Sequence, residues 1–120
     1  MPRYNVLLPR RMRVDVSNKV MDPINRNWTN VDSTHDGGVS TGIGYTIAWQ
    51  RGPLNDAGRN GAFVLEVLDS CLNQVQYFQD TFLPCPENAA AIEHLNAAIA
   101  ALESRRNQRK QAGVLGTTEP

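Results

Sequence analysis

Apolar and polar residues alternate along residues 12–20, MRVDVSNKV, with the two-residue period of a half-buried strand. The preceding residues 4–8, YNVLL, predict a short partner strand that ends before Pro9. Residues 33–40, STHDGGVS, contain the Asp-Gly and Gly-Gly pairs that are typical of a hairpin turn. The first third of the chain therefore predicts antiparallel strands joined by tight turns.

A further strand is predicted over residues 43–50, IGYTIAWQ. Its apolar positions fall on one face and are Ile43, Tyr45, Ile47 and Trp49. The intervening residues 21–33, MDPINRNWTNVDS, have no clear period. We expect a loop there, with a short extended piece around Trp28.

Two amphipathic helices are predicted in the second half of the chain. The first begins near Phe63, and its apolar stripe comprises Val64, Leu68, Cys71, Val75, Phe78 and Phe82. Residues 83–86, LPCP, break that pattern. The second helix runs from about Asn88 to Ala112 and ends before Gly113. Its stripe comprises Ile92, Leu95, Ile99 and Leu102, and alanines surround it.

These elements predict an α+β fold, in which a small antiparallel β-sheet is followed by a helical hairpin. The chain of 120 residues fits a single domain, with a β-rich part over 1–50, two helices over 60–112 and a tail over 113–120. Two helices and a few short strands give one chain a thin core. The alanine-rich helix face therefore predicts a homodimer whose core lies partly between subunits.

The chain has no net charge, with 12 basic and 12 acidic residues. A protein dedicated to polymeric nucleic acid normally has a basic excess, so this class of function is disfavoured. Residues 1–30 and 105–110 are nevertheless basic while residues 31–104 are acidic, which favours local anion sites. With two cysteines, no signal-peptide pattern and no long apolar run, we expect a cytoplasmic protein that contacts no membrane.

Catalytic motifs are missing from the sequence. His35 falls in the predicted turn and His94 lies on a helix among alanines, and neither has a partner at the spacing of a catalytic or metal site. Cys71 falls on the apolar stripe and is predicted to lie in the core. There is no Walker-type phosphate loop. We therefore expect a protein that is not an enzyme and uses neither a metal nor a cofactor.

Two groups of residues at the junction of the strands and helices suit a bound small molecule, and each has a plainer explanation. Trp49 and Gln50 suit stacking on a flat base and hydrogen bonding to it, or else they cap the core and face solvent. Asn60 and Gly61 suit a phosphate at a helix N-terminus, or else they form an ordinary helix cap.

Two further groups lie on the helices. Phe78 near the end of the first helix and Asn88 at the start of the second suit a ligand, or else they are a core ring and an N-cap. Arg105 and Arg109 lie one turn apart and suit phosphate oxygens. Basic residues at a helix C-terminus are also favoured by the helix dipole alone. The residues by themselves leave these alternatives open.

Five motifs follow one another in a distinctive order: WQRGPL from residue 49, NGAF from 60, YFQ from 77, ENAAAIEHLNAAIAALESR from 87 and GVLGTTE from 113. Together they resemble the first family of Thoeris anti-defence proteins, over roughly residues 45 to 119. The resemblance implies a small phage or prophage protein that sequesters, without altering it, the cyclic ADP-ribose isomer made by TIR-domain immune enzymes. It also implies hexamers built from dimers, with separate sites for cyclic di- or trinucleotides.

The resemblance implies two sets of site residues. The pocket for the cyclic ADP-ribose isomer would contain Phe78, Asn88, Trp49, Gly116 and Thr117, near a subunit boundary. The site for cyclic oligonucleotides would contain Arg105, with Arg59 as a further candidate. Gln50 and Arg109 join these two sites through their positions beside Trp49 and Arg105.

A protein of this kind is called a sponge. It would block Thoeris immunity in the cytoplasm of the infected bacterium by withholding the signal from its effector, and CBASS immunity through the second site. Two other functions remain open. One is a protein-interaction module with which a phage inhibits a host enzyme, and the other is a sponge for cyclic oligonucleotides alone.

Overall fold

The computed structural model describes residues 23–117 and places three strands before three helices in that range. The strands are β1 (Ile24–Thr29), β2 (His35–Thr41) and β3 (Thr46–Arg51), and the helices are α1 (Leu54–Ala57), α2 (Val64–Asp80) and α3 (Pro86–Gln111). An antiparallel sheet in the order β1-β2-β3 is followed by a long helical hairpin. The predicted α+β fold is confirmed. The strands predicted over residues 4–8 and 12–20 lie outside the described residues.

The turn predicted at residues 33–40 is wrong, because His35–Thr41 forms the central strand β2. The chain turns earlier, at residues 30–34, where the Asn30 N–H donates to the Thr34 carbonyl at 2.8 Å. The Asp32 carboxylate accepts from the Thr34 N–H at 3.1 Å and from its hydroxyl at 2.6 Å. A side chain that bonds its own turn in this way specifies a turn at least as well as an Asp-Gly pair does.

The extended piece predicted around Trp28 is confirmed, but the loop predicted over residues 21–33 is shorter than expected, because Ile24–Thr29 is a regular edge strand. All six of its residues are exposed, so it has no apolar period to read. The third strand begins later than predicted, at Thr46. Ile43 and Tyr45 lie instead in a turn closed by the Gly42 N–H and the Tyr45 carbonyl at 3.0 Å, and both side chains are exposed.

The segment after α1 adds a short parallel bridge to the free edge of β3. The Ala62 N–H donates to the Ala48 carbonyl at 2.8 Å, and the Gln50 N–H donates to the Ala62 carbonyl at 3.0 Å. Gly61 approaches so closely that a Cβ there would lie 2.6 Å from the Trp49 carbonyl carbon. This bridge connects the sheet to the start of α2.

The predicted cap of α2 at Asn60 and Gly61 is therefore wrong. The helix begins at Val64, and the Glu66 carboxylate reaches back to accept from the Phe63 N–H at 2.9 Å. Asn60 is used differently, because its side-chain amide pairs with both backbone groups of Arg51 at 2.8 Å each. The Asn60 side chain thus makes the two backbone hydrogen bonds that a neighbouring strand would otherwise make with Arg51.

The helical hairpin covers only part of the stripe predicted on α2. Leu68, Val75 and Phe78 are half-buried, as predicted. Cys71, expected in the core, is exposed, as are Val64 and Phe82. Leu65 and Leu72, outside the predicted stripe, are half-buried as well, so the covered face is displaced toward them.

The stripe predicted on α3 is confirmed, with Ile92, Leu95 and Leu102 half-buried and Ile99 only 8% exposed. Among residues 23–117, Ile99 is the one hydrophobic side chain that is buried. A chain of 120 residues usually covers a much larger core. Much of the apolar helix surface, including most of the alanines of α3, is therefore left uncovered by residues 23–117.

Candidate functional site

Three aromatic rings gather where α2 ends, in residues 77–88, which we call the hairpin tip. The Phe78 ring centroid lies 5.5 Å from that of Phe82, with the planes at 84°, and 5.7 Å from that of Tyr77. Phe82 also meets Tyr77 edge-on at 6.1 Å. Phe78 is half-buried, whereas Tyr77 and Phe82 are more than half exposed. Edge-to-face contacts favour defined ring orientations, so the hairpin tip presents an ordered aromatic surface.

The Asn88 side chain is linked to the Phe78 backbone through the two backbone groups of one residue, Leu83. The Leu83 N–H donates to the Phe78 carbonyl at 3.0 Å, and the Asn88 amide nitrogen donates to the Leu83 carbonyl at 2.7 Å. A parallel connection forms where the Gln79 side-chain oxygen accepts from the Cys85 N–H at 2.9 Å. Two residues predicted to share a site are thus brought to the same turn.

Asn88 was predicted at the start of the second helix with an N-cap as one alternative, but it lies within the first turn of α3 and is not the cap. The cap is Cys85, whose sulfur accepts from the Asn88 N–H at 3.4 Å. The Asn88 side-chain oxygen accepts no hydrogen bond from residues 23–117, which leaves an acceptor for a hydroxyl or amino group. A ring for stacking and an amide for orientation are the chemistry that this turn offers.

Gln50, predicted to contact a ligand, uses its whole side chain within the fold. Its nitrogen donates to the Gly58 carbonyl at 2.7 Å and to the Gly52 carbonyl at 3.4 Å. Its oxygen accepts from the N–H groups of Asn60 at 2.9 Å and Gly61 at 3.2 Å. At 9% exposure, this amide fastens the loop after β3 to the sheet.

Trp49 lies on β3 opposite Gly38 and is half-buried. Its indole N–H donates to the Ser40 hydroxyl at 2.8 Å, and Ser40 donates in turn to the Asn25 side chain. Both tryptophans of the chain line one open cleft of about 680 Å³, which also includes Gly37, Arg51 and Asn60. Its size is that of small-molecule sites.

The tail of the described chain folds back on α1. The Asn55 N–H donates to the Gly116 carbonyl at 3.0 Å. Gly116 has a φ of 82°, and a Cβ there would lie 2.6 Å from the Asn55 side-chain oxygen. The Thr117 hydroxyl donates to the Val114 carbonyl at 2.6 Å. The predicted ligand residues Gly116 and Thr117 are thus ordered by contacts within the chain.

Arg59 is bound locally at the start of α2. Its Nε donates to the Gly61 carbonyl at 2.7 Å, its Nη2 pairs with Glu66, and its guanidinium lies 4.7 Å from the Phe63 ring centroid. The Phe63 N–H, and after it the Arg59 guanidinium, lower the pKa of Glu66. Arg105 is exposed in the last turns of α3, and Arg109 is half-buried against the tail.

The histidines and cysteines of the described chain are dispersed. His35 lies in β2, where its Nε2 is 3.2 Å from the Asn27 side-chain oxygen, and His94 is exposed on α3. Nowhere in residues 23–117 do three His, Cys, Asp or Glu side chains cluster as metal ligands would. Of the helices in this range, none combines the length and apolar character needed to cross a bilayer.

No known protein-family model matches the chain. A search of characterised proteins finds similarity to a protein of Bacillus phage SBSphiJ7 named Thoeris anti-defense 1, with 38% identity over 74 residues. The family resemblance is confirmed. The match covers 62% of this chain and 52% of the phage protein, so the chain spans about half the length of its relative.

The Thoeris resemblance assigns to one pocket residues that a single chain keeps apart. At about 1.5 Å of rise per residue, Phe78 lies about 20 Å along α2 from Val64, where the sheet with Trp49 is attached. Asn88 lies about 30 Å along α3 from Arg109, which adjoins the tail. Phe78 and Asn88 are therefore together, whereas Trp49, Gly116 and Thr117 are near the other end of the hairpin.

Two residues of the sheet cleft escaped the sequence analysis. Trp28 was predicted in a short extended piece but not as a site residue, and it is half exposed on β1 and lines the same cleft as Trp49. Arg51 lines it as well and pairs with Asp36 at 3.0 Å, a contact that raises the pKa of Arg51. A large aromatic residue within an otherwise polar segment was the signal available for Trp28.

Proposed function

We propose that this chain is a phage or prophage anti-defence protein that sequesters a cyclic ADP-ribose isomer in the cytoplasm of the infected bacterium. One structural observation carries the proposal: Phe78, through its backbone carbonyl, and the Asn88 side-chain amide are both bonded to the Leu83 backbone at the hairpin tip. The name of the similar phage protein, Thoeris anti-defense 1, supports the anti-defence role.

The chemistry of the hairpin tip suits sequestration. Phe78 would stack on the base, and the Asn88 oxygen would accept from a ribose hydroxyl or an exocyclic amine. Stacking contributes about 1–3 kcal/mol per base. Sequestration requires no general acid or base, because the ligand leaves unchanged.

We propose that the complete pocket forms between two subunits. The helix ends that adjoin Trp49 and the tail lie about 20–30 Å along α2 and α3 from Phe78 and Asn88 of the same chain, which is too far for one small ligand to span. A partner subunit would supply them. The uncovered apolar faces of α2 and α3 support a homodimer, and the resemblance supports a hexamer built from such dimers. Light scattering at micromolar concentration tests this, and a monomeric mass would contradict it.

A second site for cyclic di- or trinucleotides is proposed around Arg105, with Arg59 as a neighbour at the same end of the hairpin. Along α3, Asn88 and Arg105 lie about 25 Å apart, which keeps the two sites separate within a chain. Arg105 is exposed and can donate to phosphate oxygens in the bidentate manner that guanidinium allows.

The test is capture and release. The purified protein should remove the cyclic ADP-ribose isomer from a filtrate and return it intact after heat denaturation. Phe78→Ala and Asn88→Ala should abolish capture while the oligomer still assembles, and Arg105→Ala should spare capture but weaken cyclic trinucleotide binding. Hydrolysed product in the filtrate would show an enzyme instead, and equal behaviour of all three variants would contradict the two-site proposal.

One observation favours a second candidate function, a module that docks on a host enzyme. Tyr77, Phe82 and Leu83 are each more than half exposed beside one another. This candidate predicts co-purification with one host protein and no rise in melting temperature with any cyclic nucleotide. A ligand that binds the native state raises that temperature by mass action, so a thermal-shift screen separates the two functions.

A further inference from the structure

The half-buried Arg109 side chain turns onto the tail of its own chain. Its Nη2 donates to the Val114 carbonyl at 3.0 Å and to the Thr117 carbonyl at 3.1 Å. These carbonyls lie at either end of the short turn that follows α3, in which the Thr117 N–H and hydroxyl both bond the Val114 carbonyl. One guanidinium therefore closes this turn and fastens it to the helix end.

Asn55 holds the same turn from the opposite side. Its N–H donates to the Gly116 carbonyl at 3.0 Å, and its side-chain nitrogen donates to the Leu115 carbonyl at 3.3 Å. Asn55 lies in α1, within the loop that Gln50 fastens to the sheet. Residues 114–117 are thus gripped between the end of α3 and the loop after β3.

We propose that Arg109 and Asn55 are positioning residues that hold Gly116 and Thr117 in place for the cyclic ADP-ribose isomer. Arg109 therefore serves the isomer pocket and not the cyclic-oligonucleotide site. This inference rests on the proposed function. It also separates Arg109 from Arg105, one turn away, because Arg105 is exposed while Arg109 is half-buried against tail carbonyls. Adjacent arginines on one helix face then serve different ligands.

The decisive experiment compares Arg109→Ala with Arg105→Ala in the full chain. Arg109→Ala should weaken capture of the cyclic ADP-ribose isomer at least tenfold and leave cyclic trinucleotide affinity within twofold. Arg105→Ala should give the opposite pattern. Arg109→Lys should recover little of the isomer capture, because one ammonium group cannot reproduce the fork-like geometry of guanidinium.

A second variant tests the other contact to the tail, and a second measurement, hydrogen exchange, tests the inference without a ligand. Asn55→Asp removes the donor to Leu115 and should weaken isomer capture in the same direction. Amide hydrogen exchange should accelerate at residues 114–117 in Arg109→Ala, with the amides of α2 unchanged. Unchanged exchange in the tail would overturn the inference, as would loss of cyclic trinucleotide binding or an equal loss of both ligands. If the wild-type protein captured no isomer, the proposed function would fail while tail exchange still tested the Arg109 contact.

Discussion

The two ends of the helical hairpin use similar residues in opposite ways. At the hairpin tip, the Asn88 side-chain oxygen accepts no hydrogen bond from residues 23–117, and the Tyr77 and Phe82 rings are more than half exposed. At the other end, the amides of Gln50 and Asn60 bond the backbone of their own loop. Asn, Gln and aromatic residues can thus mark either a binding surface or a connection within the fold.

At the end of the hairpin next to the sheet, which we call the sheet end, hydrogen bonds from polar side chains connect strands and helices that pack little against each other. Strands and helices have few direct contacts with one another, and the links that the structure provides run through the loop after β3 and the tail. Because these links are irregular, their backbone groups need side-chain partners. The hairpin tip joins two helices that pack along their length, so fewer of its side chains are needed to hold the connection in place.

The largest effect on stability is expected from Gln50→Ala. The change removes four part-buried hydrogen bonds and leaves the loop N–H and carbonyl groups that made them without this partner, which we expect to lower the free energy of unfolding by about 3 kcal/mol. Urea unfolding measures it. Asn73→Ala, on an exposed position of α2, is the matched control and should change little. A Gln50→Ala protein as stable as the wild type would contradict the conclusion that side-chain hydrogen bonds hold the sheet end together.

An intermediate effect is expected from Phe82→Leu at the hairpin tip. Leucine keeps apolar bulk but loses both edge-to-face contacts, which are worth about 0.5–1.5 kcal/mol each. We expect weaker capture of the cyclic ADP-ribose isomer, by several-fold, since Phe78 loses its orientation. Phe82→Tyr keeps the ring and should bind as the wild type does. Isothermal titration compares them, and equal affinities for all three proteins would show that Phe82 does not orient Phe78.

How well the sequence predicts each helix or strand depends on the kind of contact that stabilises it. The stripe of α3 could be predicted because helix packing follows a period that single residues report, and Ile99 lies at its centre. The edge strand β1 could not, because its exposed side chains have no period and only its pairing with β2, from Thr29 with His35 to Ile24 with Thr41, defines it. Pairing with a neighbouring strand, and not a local apolar pattern, makes it a strand.

The residues of the candidate site also differ in how well the sequence predicts their contacts. That Phe78 and Asn88 share a turn follows from two predicted helices joined by a short connection. The fate of Gln50 and Arg109 does not, because each bonds backbone atoms whose position only the folded loop and tail establish. The sequence shows that an amide or guanidinium can donate or accept hydrogen bonds, but it does not show which groups are the partners.

The smallest effect is expected from Glu66, which belongs to the sheet end but lies on the surface. The Phe63 N–H and the Arg59 guanidinium lower its pKa in the folded state below the ordinary value of 4.5. Its stabilising contribution is therefore complete above pH 4.5 and is lost as the pH falls through the lower, folded-state pKa. Unfolding curves of the wild type and Glu66→Gln, measured from pH 7 to pH 3, should converge at the acid end. Because the carboxylate is exposed, the difference at pH 7 should be modest and should shrink in high salt. A difference that grew on acidification would mean that Glu66 does not act through its charge.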